Sequence, residues 1–362
     1  MSLPVLTTRE LNRATLSRQM LLDRVPLEPL DAVESLAGLQ AQTPTDPYIG
    51  LWSRLDGFDP ERLSRHIEER RAVRAPLMRA TIHLVSAADY PLFANATRTV
   101  FERVFRSTPF ARNLDGVDLD RVLRLGREAL SDGPLTRAEM ARLLETEFPG
   151  VDPASMAQAV TYLTPVVQVP PRGLWRRSGS ARWALAVDWL GEGPDPSSRV
   201  EELMLRYLAA FGPATVSDAR AWSNLAGLAE VFERLRPRLV VFRDEKGREL
   251  FDLPDAPRPA PDAEAPVRFL PEFDNALLAH ADRSRTAGPA RPTWTMGSVL
   301  VDGFLSGNWR REQSRDRFQL TVKLAVRNRR AVREVAEEAG RLASFLARPG
   351  SDFDVAVEDW EE

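Results

Sequence analysis

Two glutamines, Gln40 and Gln42, stand one residue apart in LAGLQAQTPTDPY, Leu36–Tyr48, where helix-like text opens into a proline-broken loop. An amide takes up no proton near neutral pH. Such a pair can therefore act only through oriented dipoles, by holding a water or by stabilising developing charge. The same spacing is also typical of a helix end whose polar side chains cap the helix or face solvent. The residue types alone leave both interpretations open.

Few other side chains could take part in chemistry. The 362-residue chain has no cysteine, and its three histidines, His66, His83 and His280, are scattered. These facts exclude a thiolate nucleophile and a disulfide framework, and we expect no metal site. No phosphate-binding loop or dinucleotide fingerprint stands at a strand–helix junction, so we expect no cofactor.

Two further stretches concentrate polar residues. In LMRATIHLVSAADY a strand is expected, whose alternation places Arg79, Thr81 and His83 on one face. That face could line a site, or it could be a half-buried face satisfied by hydrogen bonds. The second stretch, LPEFDNALLAHADRSR, suits either a groove lining that includes Asp274 and Arg283 or a helix capped by Asp274 with surface ion pairs.

Arginine dominates the positive charge. All but Lys246 and Lys323 of the 49 basic residues are arginine, although the net charge is −3. Arginine binds phosphate through two parallel hydrogen bonds and stacks on bases, but a GC-rich genome also favours it. The stretch PPRGLWRRSGSARW predicts a hairpin, whose arginine side chains either contact DNA or are exposed to solvent. Its arginines are Arg172, Arg176, Arg177 and Arg182.

One order of elements recurs along the chain. We expect the same order in residues 116–190 and again in 195–253: a helix, a Gly-Pro break, a second helix, a third helix and a hairpin. The second helix is capped by Thr136 in the first repeat and by Thr215 or Ser217 in the second. The expected hairpins are Gly173–Ala186 and Leu239–Leu253. Three helices followed by a β-ribbon is the order of a winged helix.

The rest of the chain completes the predicted fold class, which is α+β and mainly α. Residues 1–115 fit the same plan less cleanly and include the glutamine pair, with a helix predicted over PLDAVESLAGLQ. After a proline-rich stretch, residues 254–362 form an α+β region with mostly antiparallel strands, among them 294–310 and 317–328. We therefore expect three tandem winged-helix units and a C-terminal antiparallel β/α region.

Four blocks, LAGLQAQTPTDPY, LMRATIHLVSAADY, FLPEFDNALLAHADR and VLVDGFLSGNWR, together resemble the AlkZ/YcaQ-type family of winged-helix DNA glycosylases. The resemblance runs through nearly the whole chain. It implies a C-shaped channel around DNA and a catalytic signature on Gln40, Ala41 and Gln42, the double-glutamine form of the AlkZ-like branch. Members of that branch excise alkylated bases and unhook interstrand crosslinks, and some protect producers of DNA-alkylating compounds.

The chemistry agrees with that resemblance. An N7-alkylated purine is already cationic and leaves as a neutral base, so the protein needs only to place a water and orient dipoles. We therefore expect a monomeric, monofunctional DNA glycosylase for N7- or N3-alkylated purines, crosslinks included. It would act on damaged double-stranded DNA in the cytoplasm, on the nucleoid when bound, with no membrane partner. The roles of Asp46 and His280 stay open. The alternatives are a non-catalytic winged-helix DNA-binding or regulatory protein and a scaffold for protein partners.

Overall fold

The computed structural model describes residues 3–360, apart from positions 198, 292, 294, 295, 315 and 327. The fold mixes helix and sheet, with more of the chain in helices. The helices are α1 Thr8–Arg18, α2 Pro29–Ser35, α3 Asp46–Arg54, α4 Pro60–Glu68, α5 Tyr90–Arg106, α6 Pro109–Arg112, α7 Leu119–Ser131, α8 Arg137–Glu147, α9 Pro153–Leu163, α10 Ala186–Leu190, α11 Val200–Phe211, α12 Val216–Ser223, α13 Leu228–Leu235, α14 Asn275–Leu278 and α15 Arg329–Leu346.

The strands form three sheets. They are β1 Val5–Leu6, β2 Leu39–Gln40, β3 Ala72–Pro76, β4 Ile82–Ser86, β5 Leu135–Thr136, β6 Val166–Val169, β7 Arg182–Leu185, β8 Val240–Asp244, β9 Glu249–Asp252, β10 Arg268–Leu270, β11 Gly297–Val301, β12 Phe304–Gln313, β13 Arg317–Leu324 and β14 Asp352–Asp359. The strand orders are β1-β8-β9, β2-β4-β3-β6-β7-β5 and β10-β11-β12-β13-β14. The central sheet therefore joins strands from residues 1–115 to strands from residues 116–190.

The recurrent helix order is confirmed. Helices α7, α8 and α9 precede β6 and β7, and α11, α12 and α13 precede β8 and β9. Thr136 and Thr215 each accept a hydrogen bond from the backbone N–H three residues on, in a reciprocal capping box with Glu139 and Asp218. The hairpin predicted at Gly173–Ala186 is wrong in its bounds. Its strands are β6 and β7, and residues 170–181 form an irregular loop between them.

The helix predicted over PLDAVESLAGLQ, which ends at Gln40, is wrong at its C-terminal end. Helix α2 ends at Ser35, because Ala37 and Gly38 have φ of 53° and 82°. A side chain on Gly38 would place its Cβ 2.8 Å from Val85 Cγ1, so the chain turns sharply where only glycine fits. Gln40 consequently ends a short strand rather than a helix.

The C-terminal region packs α15 against a five-stranded sheet. Its strands are antiparallel except for the parallel pair β13–β14, which α15 connects, so the mostly antiparallel prediction is confirmed. The predicted strand 294–310 begins on two residues outside the described ones, and it is in fact two strands, β11 and β12. In the part of the chain that the structure describes, no helix has the length and apolar character to cross a membrane.

Candidate active site

The glutamine pair is presented by the edge of the central sheet. Strand β2 pairs with β4 so that Gln40 lies opposite His83, and the Ala41 N–H donates to the Ile82 carbonyl at 2.7 Å. The Ile82 N–H in turn donates to Gln42 Oε1 at 2.9 Å. Gln40 is buried and Gln42 is exposed. The pairing of β2 with β4 thus places the buried Gln40, and it also fixes the amide of the exposed Gln42 through Ile82.

Arg79 fixes the orientation of the Gln40 amide. Its guanidinium donates to Gln40 Oε1 at 2.6 Å, to the Trp222 carbonyl at 2.7 Å and to Asn275 Oδ1 at 2.9 Å. A guanidinium has no acceptor, so the atom of Gln40 that faces it must be the carbonyl oxygen. Three elements distant in sequence therefore meet at one cation.

Arg79 does not lie on a strand, contrary to the prediction from alternation. Residues Met78–Ala80 form a 3₁₀ turn, in which Arg79 and Ala80 both have φ of 57°, and the strand begins only at Ile82. A left-handed conformation in two consecutive non-glycine residues is strained, and strain of this kind tends to occur at functional sites. The turn carries the Arg79 side chain around to Gln40.

Each amide oxygen accepts one hydrogen bond from the residues that the structure describes, which leaves it a second lone pair. Arg79 occupies one position on Gln40, and the Ile82 N–H occupies one on Gln42. The remaining lone pairs can accept the protons of a water, while the amide N–H groups can donate to a substrate oxygen. The pair can therefore hold a nucleophilic water in a fixed place without taking its proton in the ground state.

The charges at the site are set by burial. Burial, and next the charge of Arg79, lowers the pKa of His83 to about 3, so its imidazole is neutral at physiological pH. The ring Nδ1 lies 3.1 Å from the Thr81 carbonyl, which requires that nitrogen to be the donor. Burial lowers the pKa of Arg79 to about 10, with a contribution from Arg283, so Arg79 stays charged. The site thus contains a permanent cation and a neutral histidine.

A second arginine, Arg74, supports the pair from behind. It is 1% exposed and donates to the Ala41 carbonyl at 2.8 Å, between the two glutamines. Sequence reasoning missed Arg74, since nothing in its local spacing distinguishes it from the other polar residues of its block. It included Asn275 in the polar stretch that could line a groove, but without the contact to Arg79. Their roles depend on contacts between distant parts of the chain.

Two cavities meet at the Met78–Ala80 turn. The larger, of about 710 Å³, lies on the Arg79 side, and Arg248, His280, Asp282 and Arg283 are among its lining residues. The other, of about 400 Å³, lies on the Ala80 side and is lined in part by Gln42. Gln42 thus lines the smaller cavity, and Arg79, which holds Gln40, lines the larger one. Both are large enough for parts of a nucleic acid.

The four arginines predicted on a DNA-contacting hairpin are in different situations. Arg172 lines the 400 Å³ cavity. Arg176 donates to the carbonyls of Phe345 and Ala347 and anchors the 170–181 loop to α15. Arg182 lies on β7, where it donates to Glu139 and to the Pro134 carbonyl, and Arg177 is exposed.

The remaining candidates are distributed around the site. Asp274 is buried in a two-point ion pair with Arg54, with N···O distances of 2.9 and 2.8 Å, and caps the turn that carries Asn275. Its carboxylate therefore holds that turn in place. His280 is buried, and its Nε2 lies 2.9 Å from the Phe211 carbonyl.

Asp46 faces a different cavity from the one that Gln42 lines. That cavity is of about 200 Å³ and includes Glu272 and Arg311. Burial, and next the charge of Glu272, raises the pKa of Asp46 to about 8, and its Oδ2 has no hydrogen-bond partner among the described residues. The position of Asp46 gives no support to a role as base for a water held at Gln42.

The geometry can be compared with known proteins. The DNA glycosylase AlkZ-like family model matches residues 33–345. The chain is 23% identical over 353 residues to an interstrand DNA cross-link repair glycosylase of Streptomyces sahachiroi. The aligned region covers 91% of this chain and 93% of that protein. The solved structure of Streptomyces sahachiroi DNA glycosylase AlkZ has the same fold, with a TM-score of 0.71 and 20% identity, over 98% of this chain and 100% of that chain.

These matches favour the glycosylase interpretation over that of a non-catalytic regulator. The family model spans the glutamine pair, the Arg79 turn and the Asn275 turn. The chain belongs to the AlkZ-like family of DNA glycosylases, enzymes that hydrolyse N-glycosidic bonds.

Proposed function

We propose that this protein excises N7- or N3-alkylated purines from duplex DNA, with Gln40 and Gln42 placing the attacking water. The observation that carries the proposal is the pairing of β2 with β4, which places Gln42 in the wall of one cavity and Gln40 behind Arg79, which lines the other. The cation of Arg79 orients the inner amide, and no carboxylate is needed to fix either one.

The reaction follows from charge. Alkylation at N7 places a positive charge on the base, so the C1′–N9 bond breaks with its electron pair going to a neutral leaving base. The sugar becomes oxocarbenium-like, and a water held on the remaining lone pairs of the amide oxygens attacks C1′ and then loses a proton to solvent. Unalkylated bases are poor leaving groups here, because the glutamines cannot protonate the departing base and His83 is buried and neutral.

A monofunctional mechanism is part of the proposal. A lyase step requires an amine that can form a Schiff base with the sugar. The only two lysines are Lys246, whose ammonium is 2.7 Å from Asp282, and Lys323 on β13. Neither is among the residues that line the two cavities at the glutamine pair.

The proposed architecture is three tandem winged-helix units, 1–115, 116–190 and 195–253, followed by 254–362, arranged as a C-shaped channel. The repeated order of three helices and a hairpin supports it. In this proposal the channel brings DNA to the Arg79 turn, with Arg172, Arg177 and Arg283 toward the phosphates. His83 and Asp274 act by support rather than contact, and Arg176 and Arg182 hold the loop and hairpin.

Interstrand crosslinks are included among the proposed substrates. A crosslinked base cannot be turned out of the helix while it still joins two strands, so a site for it must be open. The 710 Å³ groove beside Arg79 is such an opening. The name of the Streptomyces sahachiroi relative, a cross-link repair glycosylase, agrees with this proposal.

The test is a release assay on duplexes that carry one N7-alkylguanine of rising size, from methyl to an interstrand crosslink. We expect release across the series and none of uracil or of undamaged bases. No release from any alkylated duplex would contradict the proposal. In that case, a sharp consensus from selection on random DNA would indicate a sequence-reading regulator instead.

A further inference from the structure

The 400 Å³ cavity beside Gln42 has an unusual charge for the surroundings of a cationic lesion. Arg74, Arg137 and Arg172 line it, and none of the described residues that line it is acidic. The other lining side chains are amides, hydroxyls and apolar or aromatic groups. The cavity is therefore strongly positive, at the place where the sugar must acquire positive charge.

The three guanidinium groups have only neutral partners among the described residues. Arg74 donates to the Ala41 carbonyl at 2.8 Å. Arg137 donates to the Thr161 hydroxyl at 3.2 Å and lies 5.0 Å from the centre of the Trp183 ring. Arg172 donates to the Gly179 carbonyl at 3.2 Å. No carboxylate of the described chain is within ion-pair distance of any of the three.

Arg74 has unused hydrogen-bonding capacity. It is 1% exposed, and its Nη1 has no hydrogen-bond partner in the described part of the chain. It cannot easily move away, because Gly173 packs directly on it and a Cβ at that position would lie 2.5 Å from Arg74 Cδ. Burial, and next the charge of Arg172, lowers the pKa of Arg74 to about 10, so it is still a cation. An anion would stabilise a buried cation that has an unbonded donor.

An alkylated base does not fit this cavity. Its positive charge would be repelled by the three arginines, and so would the charge that develops on the sugar. A phosphate removes both difficulties, because it neutralises the arginines and accepts two parallel hydrogen bonds from a guanidinium. Since Gln42 lines the same cavity, the phosphate held there must be close to the sugar that reacts.

We propose that the cavity formed by Arg74, Arg137 and Arg172 seats a backbone phosphodiester of the damaged strand next to the lesion and so positions the sugar over the glutamine pair. This inference rests on the proposed function, and it assigns the 400 Å³ cavity to a phosphate.

The test uses Arg137→Gln and Arg172→Gln, since Arg74 also supports the backbone of the glutamine pair. The matched control is Arg142→Gln. Arg142 is exposed on the same helix as Arg137, its guanidinium donates to the Ala138 carbonyl, and it is not among the cavity residues. Each protein is titrated against a duplex with one N7-methylguanine, with binding and base release measured separately over a range of salt. A second set of duplexes replaces single phosphates near the lesion with neutral methylphosphonate.

We expect each cavity variant to bind about tenfold more weakly and to lower the salt slope by about one phosphate contact, with an unchanged unfolding midpoint. Arg142→Gln should behave as wild type. One methylphosphonate position should weaken wild-type binding by about tenfold and add no further loss for the cavity variants.

Equal sensitivity of wild type and cavity variants at every methylphosphonate position would overturn the phosphate site. So would variants that change the choice of lesion but leave the salt slope unaltered, since that result would place the base in this cavity. A wild type that binds but releases no base would overturn the proposed function, while the methylphosphonate coupling would still report on the phosphate.

Discussion

Replacement of Arg79 by alanine removes the group that orients Gln40. The variant loses three hydrogen bonds from a charged donor, to Gln40 Oε1, the Trp222 carbonyl and Asn275 Oδ1. The bond to Gln40 is the one that bears on the reaction. A hydrogen bond to a charged group contributes about 1.5–3 kcal/mol, and a tenfold change in rate corresponds to about 1.4 kcal/mol. The limiting rate of base release should therefore fall by roughly 10- to 100-fold.

The fold should survive this change. Arg79 itself lines a large open groove, so its removal opens a path for water to reach the Trp222 carbonyl and Asn275 and to replace the lost donors. We expect a loss of stability of about 1–3 kcal/mol, which is less than the stability of an ordinary domain. Arg79→Lys keeps the charge, but one ammonium cannot reproduce the planar arrangement of donors, so it should restore little of the rate.

The assay is single-turnover release of N7-methylguanine with protein in excess, which separates the limiting rate from the half-saturating concentration. Asn275→Ala is the matched control, because it removes one anchor of Arg79 but leaves the bond to Gln40. Its rate should lie between those of wild type and Arg79→Ala. If Arg79→Ala had the wild-type limiting rate and weaker binding alone, Arg79 would be a DNA contact and our reasoning about Gln40 would be refuted.

Three further results follow from the structure. Because the pKa of His83 is lowered to about 3, its ring resonances should not titrate between about pH 5 and 8 by NMR, and a midpoint near 6.5 would contradict its burial. The pKa of Asp46 is raised to about 8, so the folded protein holds a proton that the unfolded chain releases near pH 4, and stability falls as pH rises through this window. Asp46→Asn should therefore raise the thermal midpoint more at pH ~8 than at pH ~5, and an equal gain at both would exclude this linkage. Gly126→Ala should lower the free energy of unfolding by about 1–3 kcal/mol, because the added Cβ would lie 2.3 Å from Val160 Cγ2. Gly340→Ala, which has open space around it in α15, should raise that free energy by up to about 1 kcal/mol. Denaturant titration of the two variants measures both changes, and a stabilised Gly126→Ala would contradict the packing.

The helical parts of the fold were the most predictable from the sequence. The caps at Thr136 and Thr215 and the amphipathic helices that follow them are local features, and the structure has them where the pattern placed them. The glutamine pair was found from its residue types and from family resemblance. Its local structure was wrong, because the φ values of Ala37 and Gly38 end the helix early.

The assembly of the site could not be predicted from spacing. Alternation assumes extended backbone, and it fails at Arg79, which has φ of 57° in a turn. The partners of that side chain come from Trp222, 143 residues away, and Asn275, 196 residues away. Such contacts depend on how sheets and helices pack, which a local pattern does not contain.

The central claim is that two glutamines, and no carboxylate, place the water that attacks the sugar of a cationic nucleotide. The most direct measurement is the limiting rate of N7-methylguanine release from one duplex by wild type, Gln40→Ala and Gln42→Ala, each shown to be folded and to bind that duplex. We expect a loss of at least about tenfold in the limiting rate for each variant, with binding retained. Equal limiting rates for the three proteins would contradict this claim.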